Sequence, residues 1–130
     1  MNFELVAHAS LKIENISGKV LITDPWYKSP VYWGSWFLCP EPNIDEDIYK
    51  STNFIYLTHW HFDHFDYKTI REFNKDIKIF VPQFPSSIMR QELNKLGFNN
   101  VVEMVHNKEY ILESNFSIIS HQVEHQDDSI

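Results

Sequence analysis

The strongest constraint on this 130-residue chain is a six-residue stretch, His59-Trp60-His61-Phe62-Asp63-His64, set just behind the apolar run Phe54-Ile55-Tyr56-Leu57. A short apolar run bounded by polar residues predicts a buried strand. The carboxyl ends of strands in open α/β sheets are where ligands collect, and a tight turn there lets alternate side chains converge. Three imidazoles and a carboxylate in such a turn are donors suited to zinc, iron or manganese. The segment is therefore read as a metal site, in which His59 and His61 share one ion while Asp63 and His64 point to a second position nearby. The competing reading is a chance gathering of surface or core histidines in a chain that has seven of them.

The residues around the motif set its scaffold. Phe3 to Ala7, Leu11 to Ile16 and Val20 to Thr23 are short apolar bursts, and the turn residues Asn15, Ser17 and Gly18 predict a β-hairpin or meander. Asp24-Pro25 ends the third strand, because proline lacks a donor and restricts the residue before it. From 26 to 42 the chain carries Trp26, Tyr27, Tyr32, Trp33, Trp36 and Phe37 among prolines with no period, the mark of a long ordered loop. Such a loop either walls a cleft or caps a small core. Asp45-Glu46-Asp47 reads as a solvated turn or the first turn of a short helix.

Downstream, Asp66 is placed to cap a helix running to about Lys75, with Phe65 and Ile70 as its hydrophobic staple. Ile77 to Val81 is a strand stopped by Pro82. Ser86 or Ser87 caps a second helix that turns Met89, Leu93 and Leu96 toward the core and stops at Gly97. Val101 to Val105, Tyr110 to Leu112 and Phe116 to Ser120 read as three further strands.

Composition narrows the function classes. Eighteen acidic against eleven basic residues give a formal charge of -7, which opposes phosphate-backbone binding, so no nucleic-acid partner is expected unless a metal reverses the local sign. The sequence has no 18-residue hydrophobic stretch, no signal-peptide core and a single cysteine, Cys39. No membrane span, no internal disulfide and a cytoplasmic address are expected. Cys39 is either a small packed hydrophobe or a reactive thiol.

The order of these features resembles the metallo-β-lactamase fold superfamily, and in particular its lactonase-like and phospholipase-D-like branch. The resemblance rests on His8-Ala9-Ser10, on the strand ending Leu21-Ile22-Thr23-Asp24-Pro25-Trp26, and on the His-x-His-x-Asp-His motif at 59 to 64. Trp33-Gly34-Ser35-Trp36 also resembles proteins near CMP-sialic-acid hydroxylase, in which this fold accompanies a Rieske domain. One cysteine cannot supply a Rieske cluster's ligand pair. The resemblance implies an α/β fold, the N-terminal half of an αββα sandwich, occupying 1–130 as one domain truncated at its carboxyl end.

It further implies first-metal ligands at His59 and His61 and second-metal ligands at Asp63 and His64, with Asp63 also handling a proton during hydrolysis. A fifth ligand is expected at His125, with His121 as the alternative. Asp24 is expected beneath the ligands, the alternative being a turn-forming role before Pro25; His8 is expected near the mouth of the site, the alternative being a packed or exposed strand histidine; and Trp36 is expected in the pocket wall. The bridging aspartate and final histidine of the superfamily belong to a second half of similar size, and Asp127 and Asp128 follow His125 too closely to replace them. Either that half or a second copy is expected to cover the open sheet face.

Three functions follow. The first is a metal-dependent hydrolase with two zinc ions, in which a metal-held hydroxide attacks a small polar ester, lactone or phosphodiester; manganese or iron suits the same donors. The second is an iron-binding redox or oxygenase-associated domain. The third is a non-catalytic metal-binding or assembly domain.

Overall fold

A computed structural model describes residues 1–123; the expectations for His125, Asp127, Asp128 and the last residues lie outside the described residues. The chain runs β1 (Asn2–Ala7), β2 (Ser10–Glu14), β3 (Val20–Thr23), α1 (Ile48–Ser51), β4 (Phe54–Tyr56), α2 (Tyr67–Ile70), β5 (Lys78–Pro82), α3 (Ile88–Lys95), β6 (Val101–Met104), β7 (Glu109–Glu113) and β8 (Phe116–Ile119). The first six strands form one sheet in sequence order, and β7 pairs with β8 separately. β1, β2 and β3 are antiparallel, as tight turns allow. β3, β4, β5 and β6 are parallel, and the intervening connections carry α1, α2 and α3.

Strand alternation divides the sheet into two faces. Val20, Ile22, Ile55, Ile79, Val81 and Val101 pack with Phe65, Ile70, Phe73, Met89, Leu93 and Phe98 from the helical side. Ile22, Ile55, Leu57 and Ile79 are wholly buried, and each such side chain contributes about 1.5–3 kcal/mol relative to exposure. On the other face Phe54 meets Phe116 and Phe80 meets Tyr110, with ring centroids 6.4 Å apart in both pairs. The β7–β8 hairpin therefore lies over β4 and β5. The expectation of one sheet with a bare second face is corrected accordingly: that face is partly roofed, while Phe3, Leu5 and Leu11 on β1 and β2 stay exposed.

Several boundaries differ from the sequence reading by a residue or more, and two of them have a visible cause. The helix capped by Asp66 ends at Ile70 instead of near Lys75, because the chain tightens into three-residue bonds from Glu72 N–H to Thr69 and from Phe73 N–H to Ile70. Asn74 then makes its own turn, accepting from Asp76 N–H through its side chain. Pro82 closes β5 from within the strand, and Gln83 N–H continues the ladder to Met104.

Thr23 pairs with Tyr56 at the ends of β3 and β4, and the next amide, Asp24 N–H, bonds Tyr56 at 3.0 Å. The two chain segments that leave these parallel strands thus start side by side. One is Asp24 with the aromatic loop, the other Thr58 with the histidine motif.

Candidate metal centre

Asp24 is the floor of the site. It is 3% exposed and accepts Thr58 N–H at Oδ1 (2.7 Å), Thr58 Oγ1–H at Oδ2 (2.7 Å) and His64 Nδ1–H at Oδ2 (2.8 Å). Its φ of 35° lies in the left-handed region that few non-glycine residues occupy, and the three donors hold it there. A carboxylate only accepts, so these contacts decide tautomers above it. His64 carries its proton on Nδ1 and keeps Nε2 for other use. Because the Thr58 hydroxyl donates to Asp24, it accepts from His59 Nδ1 (2.8 Å), which likewise leaves Nε2 of His59 with a lone pair.

The free nitrogens converge. His59 Nε2 lies 3.1 Å from His61 Nδ1, close to the separation of about 3.3 Å expected for two nitrogens sharing a tetrahedral zinc at 2.0–2.1 Å. The His59 ring also sits 4.1 Å from the His64 ring between centroids. His64 Nε2 stands 3.3 Å from Asp63 Oδ2. A lone pair facing a carboxylate oxygen at that distance is repulsive unless a proton or a cation lies between them. The His59–His61 pair thus has the donor type and spacing that suit a metal ion, and a proton or a cation satisfies the Asp63–His64 pair.

Asp63 is 6% exposed and held at both oxygens, by Tyr32 O–H at Oδ1 (2.8 Å) and by His8 Nε2–H at Oδ2 (2.9 Å). Among the described residues, His8, Asp63 and His64 are the group whose ligand atoms all fall within 4.8 Å of one another. Titration behaviour follows from these contacts. Burial alone raises the Asp63 carboxyl, but the bonds from Tyr32 and His8 and the nearby His64 outweigh it and hold Asp63 below the usual carboxylate range. Burial and the Asp63 carboxylate push the Tyr32 phenol up to about 12. Burial together with its histidine neighbours lowers His59. For His64 burial acts downward, yet the bond and charge of Asp24 and the charge of Asp63 raise it.

The motif residues His59, His61, Asp63 and His64 and the floor residue Asp24 thus lie in one contact network. His8 reaches the same network from the β1–β2 turn, touching Asp63. Trp36 packs edge-on to Tyr32 at 5.1 Å and lines, with His8, Trp26, Phe37 and Leu38, a cavity of about 600 Å³ that meets the motif only through His8, the partner of Asp63. His121 is exposed and bonds Asn107 at 2.8 Å, in the turn before β7, instead of joining the motif. Two contributors escape sequence reading: Thr58, whose only signal is its place directly before His59, and Tyr32, one aromatic among many in its loop.

No family model matches the sequence. The chain is 39% identical over 105 residues to a protein of Mycolicibacterium smegmatis named as a Rieske 2Fe-2S iron-sulfur protein, covering 79% of this chain and 20% of that one. It is 31% identical over 99 residues to the cytidine monophosphate-N-acetylneuraminic acid hydroxylase of Asterias rubens, covering 72% and 15%. Among solved structures, a protein of Veillonella parvula described as a possible metal-dependent hydrolase superposes with a TM-score of 0.64 at 19% identity, over 85% of this chain and 44% of that one. CmlA, a diiron β-hydroxylase of Streptomyces venezuelae, superposes with a TM-score of 0.65 at 23% identity, over 86% and 22%.

The fold is metallo-β-lactamase-like. Within this metallo-β-lactamase-like fold the chain spans a fifth or less of the curated relatives described above and under half of the solved chains. One of these solved neighbours is described as a possible metal-dependent hydrolase and the other as a diiron β-hydroxylase, so the likeness is one of fold and does not select zinc or iron. No helix among the described residues is long and apolar enough to cross a membrane.

Proposed function

We propose that this chain contributes the His59–His61 and Asp63–His64 halves of a two-metal hydrolytic centre acting on a small polar ester, lactone or phosphodiester. The observation that carries this reading is the Asp24 floor, which through Thr58 and directly through His64 turns two imidazole Nε2 lone pairs onto the motif. Zinc is the first choice for such nitrogen and carboxylate donors, with manganese or iron as substitutes, and His125 is proposed as the fifth ligand. Bound there, the metal pair supplies Lewis acidity and an activated water.

The protein's own residues do the rest. Asp24 fixes ring orientation, and the low-lying Asp63 carboxyl stays ionised, which suits an anionic ligand. The proton-handling role that the family resemblance implies requires Asp63 to take a proton while Tyr32 and His8 donate to it, so the ligand role comes first. Trp36 and Phe37 in the cavity wall shape a pocket for the substrate's apolar part. The exposed Phe3, Leu5 and Leu11 face is proposed to be covered by a second αβ half or a second copy of the chain.

Metal analysis of the purified protein, paired with turnover of bis(p-nitrophenyl) phosphate and simple lactones, tests this. Two zinc or manganese ions per chain are expected, and His61→Ala should lower metal content while leaving the circular dichroism spectrum intact. Unchanged stoichiometry in His61→Ala would refute the ligand assignment.

One observation favours a second reading. The relatives at 31–39% identity carry the names of a Rieske protein and a hydroxylase, whereas the solved chains described above are only 19–23% identical. On that reading the same donors hold iron in an oxidative enzyme. Iron in protein prepared without added metal, together with redox activity and no ester or phosphodiester turnover, selects it.

A further inference from the structure

Asp63 is gripped by two residues from outside the motif. His8 comes from the turn between β1 and β2, and Tyr32 from the aromatic loop, and each has a positive φ, 50° and 51°. Non-glycine residues persist in that conformation where their surroundings over-determine it. Here the surroundings are the two hydrogen bonds to Asp63 and aromatic packing. His8 meets Trp26 edge-on at 5.0 Å, and Tyr32 is wedged between Trp36 at 5.1 Å and Phe62 at 5.4 Å.

His8 resembles a ligand by distance but not by wiring. The motif's own histidines lean a remote nitrogen on an acceptor, His64 on Asp24 and His59 on Thr58, and present the other toward the site. His8 instead directs Nε2 at the carboxylate oxygen itself. With Tyr32 on Oδ1 and His8 on Oδ2, the plane of the carboxylate is fixed. The remaining lone pair of Oδ2 is available toward His64 Nε2, 3.3 Å away.

We propose that His8 and Tyr32 are positioning residues that preorganise Asp63 for the Asp63–His64 metal position, linking that position to the aromatic loop. The inference rests on the reading of Asp63 and His64 as metal ligands. Its structural consequence is that loop and motif bind metal as a unit. His8 and Trp36 share the cavity wall, and Trp36 touches Tyr32, so an occupant of the cavity lies directly against one arm of the grip and reaches the other through Trp36.

Cobalt(II) titration followed by visible absorption tests the proposal, using the full chain in a His61→Ala background that removes the first metal position. Tyr32→Phe and His8→Ala are each expected to weaken cobalt binding by about 10- to 100-fold, the usual effect of losing such a support, and to alter the d–d band pattern. His8→Gln, which keeps a donor of similar reach, should recover much of the affinity. Unchanged melting temperatures in these variants separate positioning from general loosening. Affinities within twofold of the background, with an unchanged spectrum, overturn the proposal, as does failure of the His61→Ala chain to bind cobalt at all. Failure of the underlying metal reading is distinct, because it shows as absence of metal binding in the unmodified protein.

Discussion

His64 Nδ1 donates to Asp24 Oδ2 at 2.8 Å, joining the last residue of the motif to the residue that follows β3. The contact spans forty positions of sequence yet needs no flexible reach, because β3 and β4 run parallel and in register. It fixes the His64 tautomer and supplies negative charge beneath the imidazole. Asp24→Asn keeps the shape but replaces one acceptor oxygen with a donor amide, so either Thr58 N–H loses Oδ1, or Thr58 Oγ1–H and His64 Nδ1–H lose the Oδ2 they share. Metal affinity is expected to fall about 10- to 100-fold. Asp24→Ala leaves buried donors unpaired and should cost about 1–3 kcal/mol of stability as well. Plasma-emission metal analysis and urea unfolding check the two effects separately; full metal content in Asp24→Asn would show that the floor carboxylate does not tune the site.

Thr58 gives a more selective test. Its hydroxyl donates to Asp24 and accepts from His59, whereas His64 reaches Asp24 directly. Thr58→Val preserves the β-branched shape and removes only the relay. The His59–His61 position should therefore weaken while the Asp63–His64 position is largely spared. A stability loss of about 1 kcal/mol is expected from the missing hydrogen bond. Stepwise zinc titration against a chelator distinguishes the positions, and equal weakening of both would count against a relay through Thr58.

What the sequence made legible divides along a physical line. The buried strands, the capping of α2 by Asp66 and the motif itself were readable, because each depends on periodicity or on residues adjacent in the chain. Tyr32 was not, because nothing in its loop distinguishes the one aromatic whose hydroxyl meets Asp63 from those that pack or stay exposed, such as Trp33. The roofing of the second face by β7–β8 was also hidden, since strand patterns give the elements but not which face a hairpin folds over. His8 fell between these cases: its place before the second strand was visible, but its partner lies fifty-five positions away.

The exposed apolar face offers a prediction about association. Phe3 and Leu5 on β1 are 66% and 68% exposed and lie on the same side of the strand as Leu11, with which Leu5 pairs. Edge strands with such surfaces invite pairing with another chain. Phe3→Ser with Leu5→Ser should shift the protein toward smaller species in light-scattering chromatography. The metal content should not change, since neither side chain belongs to the motif. Unaltered mass across a range of concentrations would remove this face from consideration as an association surface.

Tyr27 permits a test of pH dependence away from the metal ligands. Its phenol is buried, exchanges a 2.6 Å hydrogen bond with Ser10, and is shifted upward chiefly by burial. A raised folded-state value means that the native protein favours the protonated phenol. Its contribution to stability is thus full below the unfolded value near about 10 and is lost as pH rises beyond it. Tyr27→Phe should be less stable by about 1 kcal/mol at neutral pH, for want of the Ser10 bond. Above about pH 10 the unmodified protein should lose stability more steeply than the variant, so that the gap narrows. The raised tyrosines at 32, 56 and 67 titrate in both proteins and drop out of the difference, while Tyr49, whose charge acts on Tyr27, adds to the upward shift that burial causes. Urea midpoints measured at several alkaline pH values give the result directly, and parallel decline of the two curves would mean that Tyr27 ionises as freely in the folded protein as in the unfolded one.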